Sequence, residues 1–128
     1  METPSRPPHP FEDGRLSYLQ LPAADLAVSA RFYAGVFGWR CKGDGARHRA
    51  FTDATGHMIG AFITGRLPTG APGILPYVYV HGIDAALARV VAYGGEVVRS
   101  PYPEGDLWVG TFRDPAGNVL GVWQHGPR

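Results

Sequence analysis

Apolar residues alternate with polar or aromatic ones over residues 16–21 and 74–80, the two-residue period of a strand, and each run leads into an apolar pattern of helical period. The first helix is expected over 25–37. It opens at Asp25, whose side chain can cap the free N–H groups, and stops at Gly38. The second is expected to open at Asp84 and to stop at Gly94 and Gly95. Shorter apolar runs follow each helix, at 40–42, 50–53 and 57–64 in the first half and at 96–99, 107–113 and 119–124 in the second. Residues 43–49 and 100–106 read as loops, the latter containing proline.

The two halves repeat. Asp53, Gly56, Gly60 and Phe62 recur 61 residues later as Asp114, Gly117, Gly121 and Trp123, and Asp25 recurs 59 residues later as Asp84. An aspartate bonds its own backbone two residues on and a glycine accepts positive φ, so each set marks a tight turn that enters a strand. Each half therefore reads as strand, helix, then three strands, and the chain as an α+β domain of two βαβββ modules. The domain spans 16–128, with module one at 16–66, a Pro- and Gly-containing linker at 67–73 and module two at 74–125. Residues 1–15 hold four of the 12 prolines and read as an extended or disordered arm.

One strand parity is aliphatic: Leu19, Leu21, Ile59, Ile63, Val78, Val80, Leu107, Val109, Leu120 and Val122. These are expected beneath the helices, against Phe32, Val36, Leu87, Val90 and Val91. The opposite parity carries Tyr18, Gln20, Met58, Phe62, Tyr77, Tyr79, Trp108, Phe112 and Trp123, with Gly60, Gly110 and Gly121 between them. Leaving such side chains wet forgoes roughly 1.5 to 3 kcal/mol each. Something should cover that face: a ligand, a second chain, or the other half of the molecule. The three glycines favour a cavity, since missing side chains in a packed core leave voids. These nine residues are the candidate ligand-binding set.

Composition narrows the partners. With 128 residues and 45% hydrophobic content the chain is long enough for one real core. The net charge is +1 and the 12 Lys and Arg form no block, which speaks against nucleic acid and anionic membranes. The single cysteine, Cys41, forms no internal disulfide, and neither a signal peptide nor an 18-residue apolar span is visible, so a soluble cytoplasmic protein is expected.

The order Asp25, Phe32-Tyr33, Phe37-Gly38-Trp39, together with the run from Phe112 through Asp114-Pro115-Ala116-Gly117-Asn118, resembles the vicinal oxygen chelate superfamily of glyoxalases, bleomycin-resistance proteins and extradiol dioxygenases. The resemblance covers about residues 16–125. It implies a curved mixed sheet with a concave ligand cleft, helices on the outer face, and a homodimer. Chelating members place metal ligands on the first and closing strands of each module. Here those positions fall on Tyr18, Leu75, Gly60 and Gly121, three of which lack a side-chain ligand, so no metal and no cofactor is expected.

Other chemistry is sparse. His48, His57, His81 and His125 stand alone, and no histidine lies near Cys41 in sequence. Glu104 and Asp106, just before Trp108, could present a general base at the mouth of the cleft. Two functions follow. One is metal-independent binding of a small, flat or aromatic molecule, as in antibiotic or natural-product sequestration. The other is a lyase, isomerase or related enzyme using Glu104, Asp106 or a tyrosine as acid or base. A third reading leaves the aromatic face to subunit pairing alone.

Overall fold

The computed structural model describes residues 9–68 and 73–128; positions 1–8 of the expected arm and 69–72 of the expected linker lie outside the described residues. Module one runs β1 (Tyr18–Pro22), α1 (Leu26–Phe37), β2 (Arg40–Lys42), β3 (His48–Thr52), β4 (Ile59–Ile63). Module two runs β5 (Tyr77–Tyr79), α2 (Ile83–Ala92), β6 (Glu96–Glu104), β7 (Leu107–Arg113), β8 (Val119–His125). Each module is a four-stranded mixed sheet, ordered β1-β4-β3-β2 and β5-β8-β7-β6, whose first and last strands pair in parallel. This is the βαβββ repeat expected from the sequence.

Local chemistry explains the element ends. The Asp25 carboxylate accepts from the N–H groups of Ala27 and Val28 at 3.0 and 3.2 Å, and α1 stops at Gly38, whose φ of 74° suits a residue without Cβ. In α2 the cap falls on Gly82, not Asp84. Gln124 has taken over the capping: its Oε1 accepts from Ile83 N–H at 2.8 Å. Asp84 sits inside the first turn and pairs with Arg128 at 2.9 Å. Both Asp-Gly turns form as expected, with Gly56 at φ 82° and Gly117 at φ 98°. Strand β6 is longer than expected: the stretch read as a loop continues as an edge strand through two register shifts, where Pro101 and Pro103 leave no inner ladder bond unmade.

One hydrophobic core joins the modules. Phe32, Tyr33 and Val36 of α1 and Ile83, Leu87 and Val90 of α2 meet the helix-side faces of both sheets, and Phe112 of β7 packs on Phe32 and Phe37 at ring distances of 6.0 and 5.6 Å. Of the expected helix contacts, Val91 fails: it is 59% exposed.

The face assignment holds on β1, β5 and β8 and reverses on β4 and β7. Register puts Gly60 and Phe62 beside Leu19 and Leu21, and Trp108, Gly110 and Phe112 beside Gln124, Val122 and Leu120, all on the helix side. Phe62 and Phe112 are fully buried there. Ile59, Ile63, Leu107 and Val109 take the other face instead. Both strands are apolar on both faces, so alternation does not choose between them, and the larger rings fill the deeper space under the helices. The glycines leave no voids either. A Cβ at Gly60 would overlap the Phe51 ring, one at Gly121 the Tyr77 ring, and one at Gly110 would approach Leu87 and Ile83.

Candidate functional site

On the second sheet, strand register sets the helix-free face residue by residue. One row across the sheet is Tyr77, Gly121, Thr111 and Arg99; the next is Tyr79, Trp123, Val109 and Tyr102; Leu107 and Glu104 follow. Large rings thus stand on β5, β8 and β6, with Gly121, Thr111 and Val109 among them. Tyr77 lies across the bare backbone of Gly121, and Tyr79 meets Trp123 edge to face at 4.7 Å. Tyr77 and Tyr79 remain 45% and 42% exposed, so the ring surface is open.

Polar groups gather on the same face. The Arg99 guanidinium sits 3.5 Å from the centre of the Tyr102 ring, a cation–π contact. Burial pushes the Tyr77 phenol above its ordinary pKa; Tyr102 and Glu104 add to the shift, and Arg99 opposes it. Groups on the far edge of the sheet thus act on Tyr77. Tyr102 is missed from sequence because the prolines on either side of it suggest a loop, and Arg99 because it stands at the end of the short strand expected over 96–99. The signal that would have found them is the parity shared by Tyr102 and Glu104, which only the bulges bring into line with Arg99.

The nine candidate residues do not form one site. Tyr77, Tyr79 and Trp123 share the face just described. Tyr18, 54% exposed, and Gln20, which accepts from Arg66 at 2.9 Å, occupy the helix-free face of the first sheet. Phe62 and Phe112 belong to the core, and Trp108 packs against it half-buried, with the Arg128 guanidinium 5.0 Å from its ring. Met58 lines a different cavity, between the modules. Glu104 joins the aromatic face, while Asp106 stays exposed in the β6–β7 turn, its carbonyl accepting from Gly126 N–H at 3.0 Å.

The positions where chelating relatives of this fold carry metal ligands do not fit a metal here. Gly60 faces the core, Gly121 lies under Tyr77, and Tyr18 and Leu75 supply neither carboxylate nor imidazole. Among the described residues no three His, Cys, Asp or Glu side chains come together as ligands. Cys41 is no better placed as a nucleophile: its Sγ lies 3.6 Å from the Ala30 carbonyl, and burial raises its pKa, opposed by Arg49. No helix among the described residues is long and apolar enough to cross a membrane.

The fold recurs in known proteins. FosX, a fosfomycin resistance protein from Mesorhizobium loti, superposes with a TM-score of 0.69 at 19% identity, covering 89% of this chain and 93% of that one. In sequence, CFP32 of Mycobacterium bovis is 29% identical over 125 residues, covering 89% of this chain. The anthracycline biosynthesis protein DnrV of Streptomyces peucetius is 30% identical over 134 residues, covering 91%. The chain spans about half the length of these two relatives, 47% and 49%. Residues 15–122 match the model of one family, and the chain belongs to it: the Glyoxalase/Bleomycin resistance protein/Dioxygenase superfamily.

Proposed function

We propose that the aromatic face of the second sheet binds a small, flat, largely apolar molecule without a metal ion. The observation that carries this is the register itself, which lays Tyr77, Tyr79, Trp123 and Tyr102 on one face beside Gly121, Thr111 and Val109 and adds Arg99 and Glu104 as the orienting polar groups. Relatives named for anthracycline biosynthesis and fosfomycin resistance make an antibiotic or other natural product the first class to try, with sequestration as the role. The exposed Tyr18 supports a homodimer in which a second copy covers the helix-free face of the first sheet, and the single cysteine suits the cytoplasm.

Native mass spectrometry of the purified protein tests this directly. The expected spectrum is a metal-free dimer, with an organic adduct where ligand co-purifies; one divalent ion per chain sinks the metal-free reading. With the adduct identified, Trp123→Ala should weaken its binding about tenfold or more, which is ~1.4 kcal/mol. Unchanged affinity in titration calorimetry would remove the aromatic face as the site.

The second reading, an enzyme, draws on one observation: Tyr77 shares its electrostatic environment with Glu104 and Arg99. A phenol that keeps its proton could serve as acid, and a carboxylate on the same face as base, on a carbonyl substrate that spans the sheet. Glu104→Gln then lowers turnover by about 10²-fold or more with ligand affinity nearly unchanged. Equal turnover in both proteins leaves binding as the function.

A further inference from the structure

The repeat that builds the two modules also builds two equivalent seams between them, and only one is closed. At the first, the Asp114 turn is fastened to module one: Asp114 Oδ2 accepts from the Tyr33 hydroxyl at 2.8 Å, and Asn118 Nδ2 donates to the Pro22 carbonyl at 2.7 Å. At the second, the Asp53 turn faces the end of β5 and the start of α2. Aligned on the helix starts, Leu26 and Ile83, Tyr33 corresponds to Val90, which has no hydroxyl. Aligned on the turns, Asn118 corresponds to His57, whose Nδ1 meets Thr55 Oγ1 of its own turn at 3.0 Å. Among the described residues no hydrogen bond joins the Asp53 turn to β5 or α2. A cavity of about 680 Å³ lies there instead, within the size range of small-molecule sites.

We infer that this seam cavity is a binding site for a planar aromatic anion, meeting the aromatic face of the second sheet only along β5, at Tyr77 and Tyr79. Its walls include Phe37, Trp39, Met58 and Val80, which suit a flat apolar body. One side is the free edge of β5. Gly121 N–H donates to the Pro76 carbonyl and Val80 N–H to the Trp123 carbonyl, so the even-numbered residues of β5 are spent on β8. The backbone groups of Tyr77 and Tyr79 point the other way, toward the cavity.

The wall carries one guanidinium, Arg89, and one carboxylate, Asp53, and of the two the guanidinium has polar atoms to spare. Arg89 donates its Nε–H to the Val36 carbonyl at 3.0 Å, which anchors the side chain while its terminal nitrogens keep no partner among the described residues. His81 lies close by, edge-on to Tyr79 at 5.4 Å. The one carboxylate on the wall, Asp53, already accepts from Gly56 and His57 N–H and from Thr55 within its own turn. An anionic group against Arg89 thus gains a charge-assisted bond without meeting an unpaired carboxylate.

Two fluorescent probes with the same ring systems test this: 1-anilinonaphthalene-8-sulfonate, an anion, and N-phenyl-1-naphthylamine, which is neutral. Both should saturate on the folded wild-type protein. Ala85→Trp, from an exposed α2 position on the cavity wall, should weaken both about tenfold or more, and Thr55→Phe on the opposite wall should do the same. Arg89→Gln should weaken the sulfonate about five- to tenfold and leave the neutral probe within about twofold. Circular dichroism melts establish that each variant is folded. Absence of saturable binding to wild type, or full binding by both wall variants, overturns the inference. Loss of binding in Trp123→Ala with no loss in the wall variants places the probe on the aromatic face; the cavity then fails and the proposed function stands.

Discussion

Asp114→Ala is expected to destabilise the protein by roughly 3–5 kcal/mol, a large share of the ~5–15 kcal/mol that holds a domain together. The carboxylate is buried and fully used: Oδ1 accepts from Ala116 and Asn118 N–H, both at 2.9 Å, while Oδ2 accepts from the Tyr33 hydroxyl and from Asn118 Nδ2. Alanine leaves the Tyr33 hydroxyl unpaired in the core and loosens the turn that fastens the two modules. Urea unfolding measures the loss. Asp53→Ala is the internal control, since that carboxylate serves the same turn but bonds nothing in the other module, and about 1 kcal/mol is expected there. Equal losses at both positions would contradict a role for Asp114 between the modules.

The same residue sets a pH dependence. Burial holds the Asp114 carboxyl above its ordinary pKa, with the hydrogen bonds from Asn118, Tyr33 and Ala116 opposing the shift. The folded protein therefore binds this proton more tightly than the unfolded chain. The corresponding stability is fully present below the unfolded pKa of about 3.9 and is lost as pH rises through the folded value. Asp114→Asn removes that titration. The unfolding free energy of wild type minus that of the Asn variant should shrink with rising pH across this window and then level off. A difference that widens with pH would refute the assignment. Tyr33 stays protonated well above the ordinary tyrosine pKa, chiefly through burial and then through the Asp114 charge, so it does not titrate in the same range.

Gly60→Ala is expected to cost about 3 kcal/mol, the upper end of what overpacking does. The new Cβ would overlap the Leu19 carbonyl oxygen as well as the Phe51 ring, and a backbone atom of the paired strand cannot step aside without separating β1 from β4. Gly121→Ala looks equivalent in sequence and differs in consequence. Its Cβ meets first the Tyr77 ring, on an edge strand and 45% exposed, which can swing away. A stability loss near 1 kcal/mol is expected there. Because the displaced ring belongs to the aromatic face, ligand binding should fall more than stability does. Thermal melts and ligand titrations on the two variants separate the roles; a larger melting shift at Gly121 than at Gly60 would reverse them.

Much of this molecule follows from bonds that span four residues or fewer. Asp25 caps α1 with its own next turn, Gly38 ends it, and Asp53 and Asp114 fold their turns around backbone N–H groups two to four residues away. Such contacts are complete within the segment that encodes them, so the modules, their order and their repeat could be read directly from the residues. The choice of strand face could not. Along β4 and β7 both parities are apolar, and packing against α1 and α2 decided that Phe62, Trp108 and Phe112 turn inward. The cap of α2 moved for the same reason, since Gln124, 41 residues away, reaches Ile83. The alignment of Arg99, Tyr102 and Glu104 on the face that carries Tyr77 depends on two register shifts in β6. The fastening of the first seam depends on a hydroxyl that Tyr33 carries and Val90 lacks. Local hydrogen bonding determined the elements; long-range packing, which no short segment contains, determined which side chains reach a ligand.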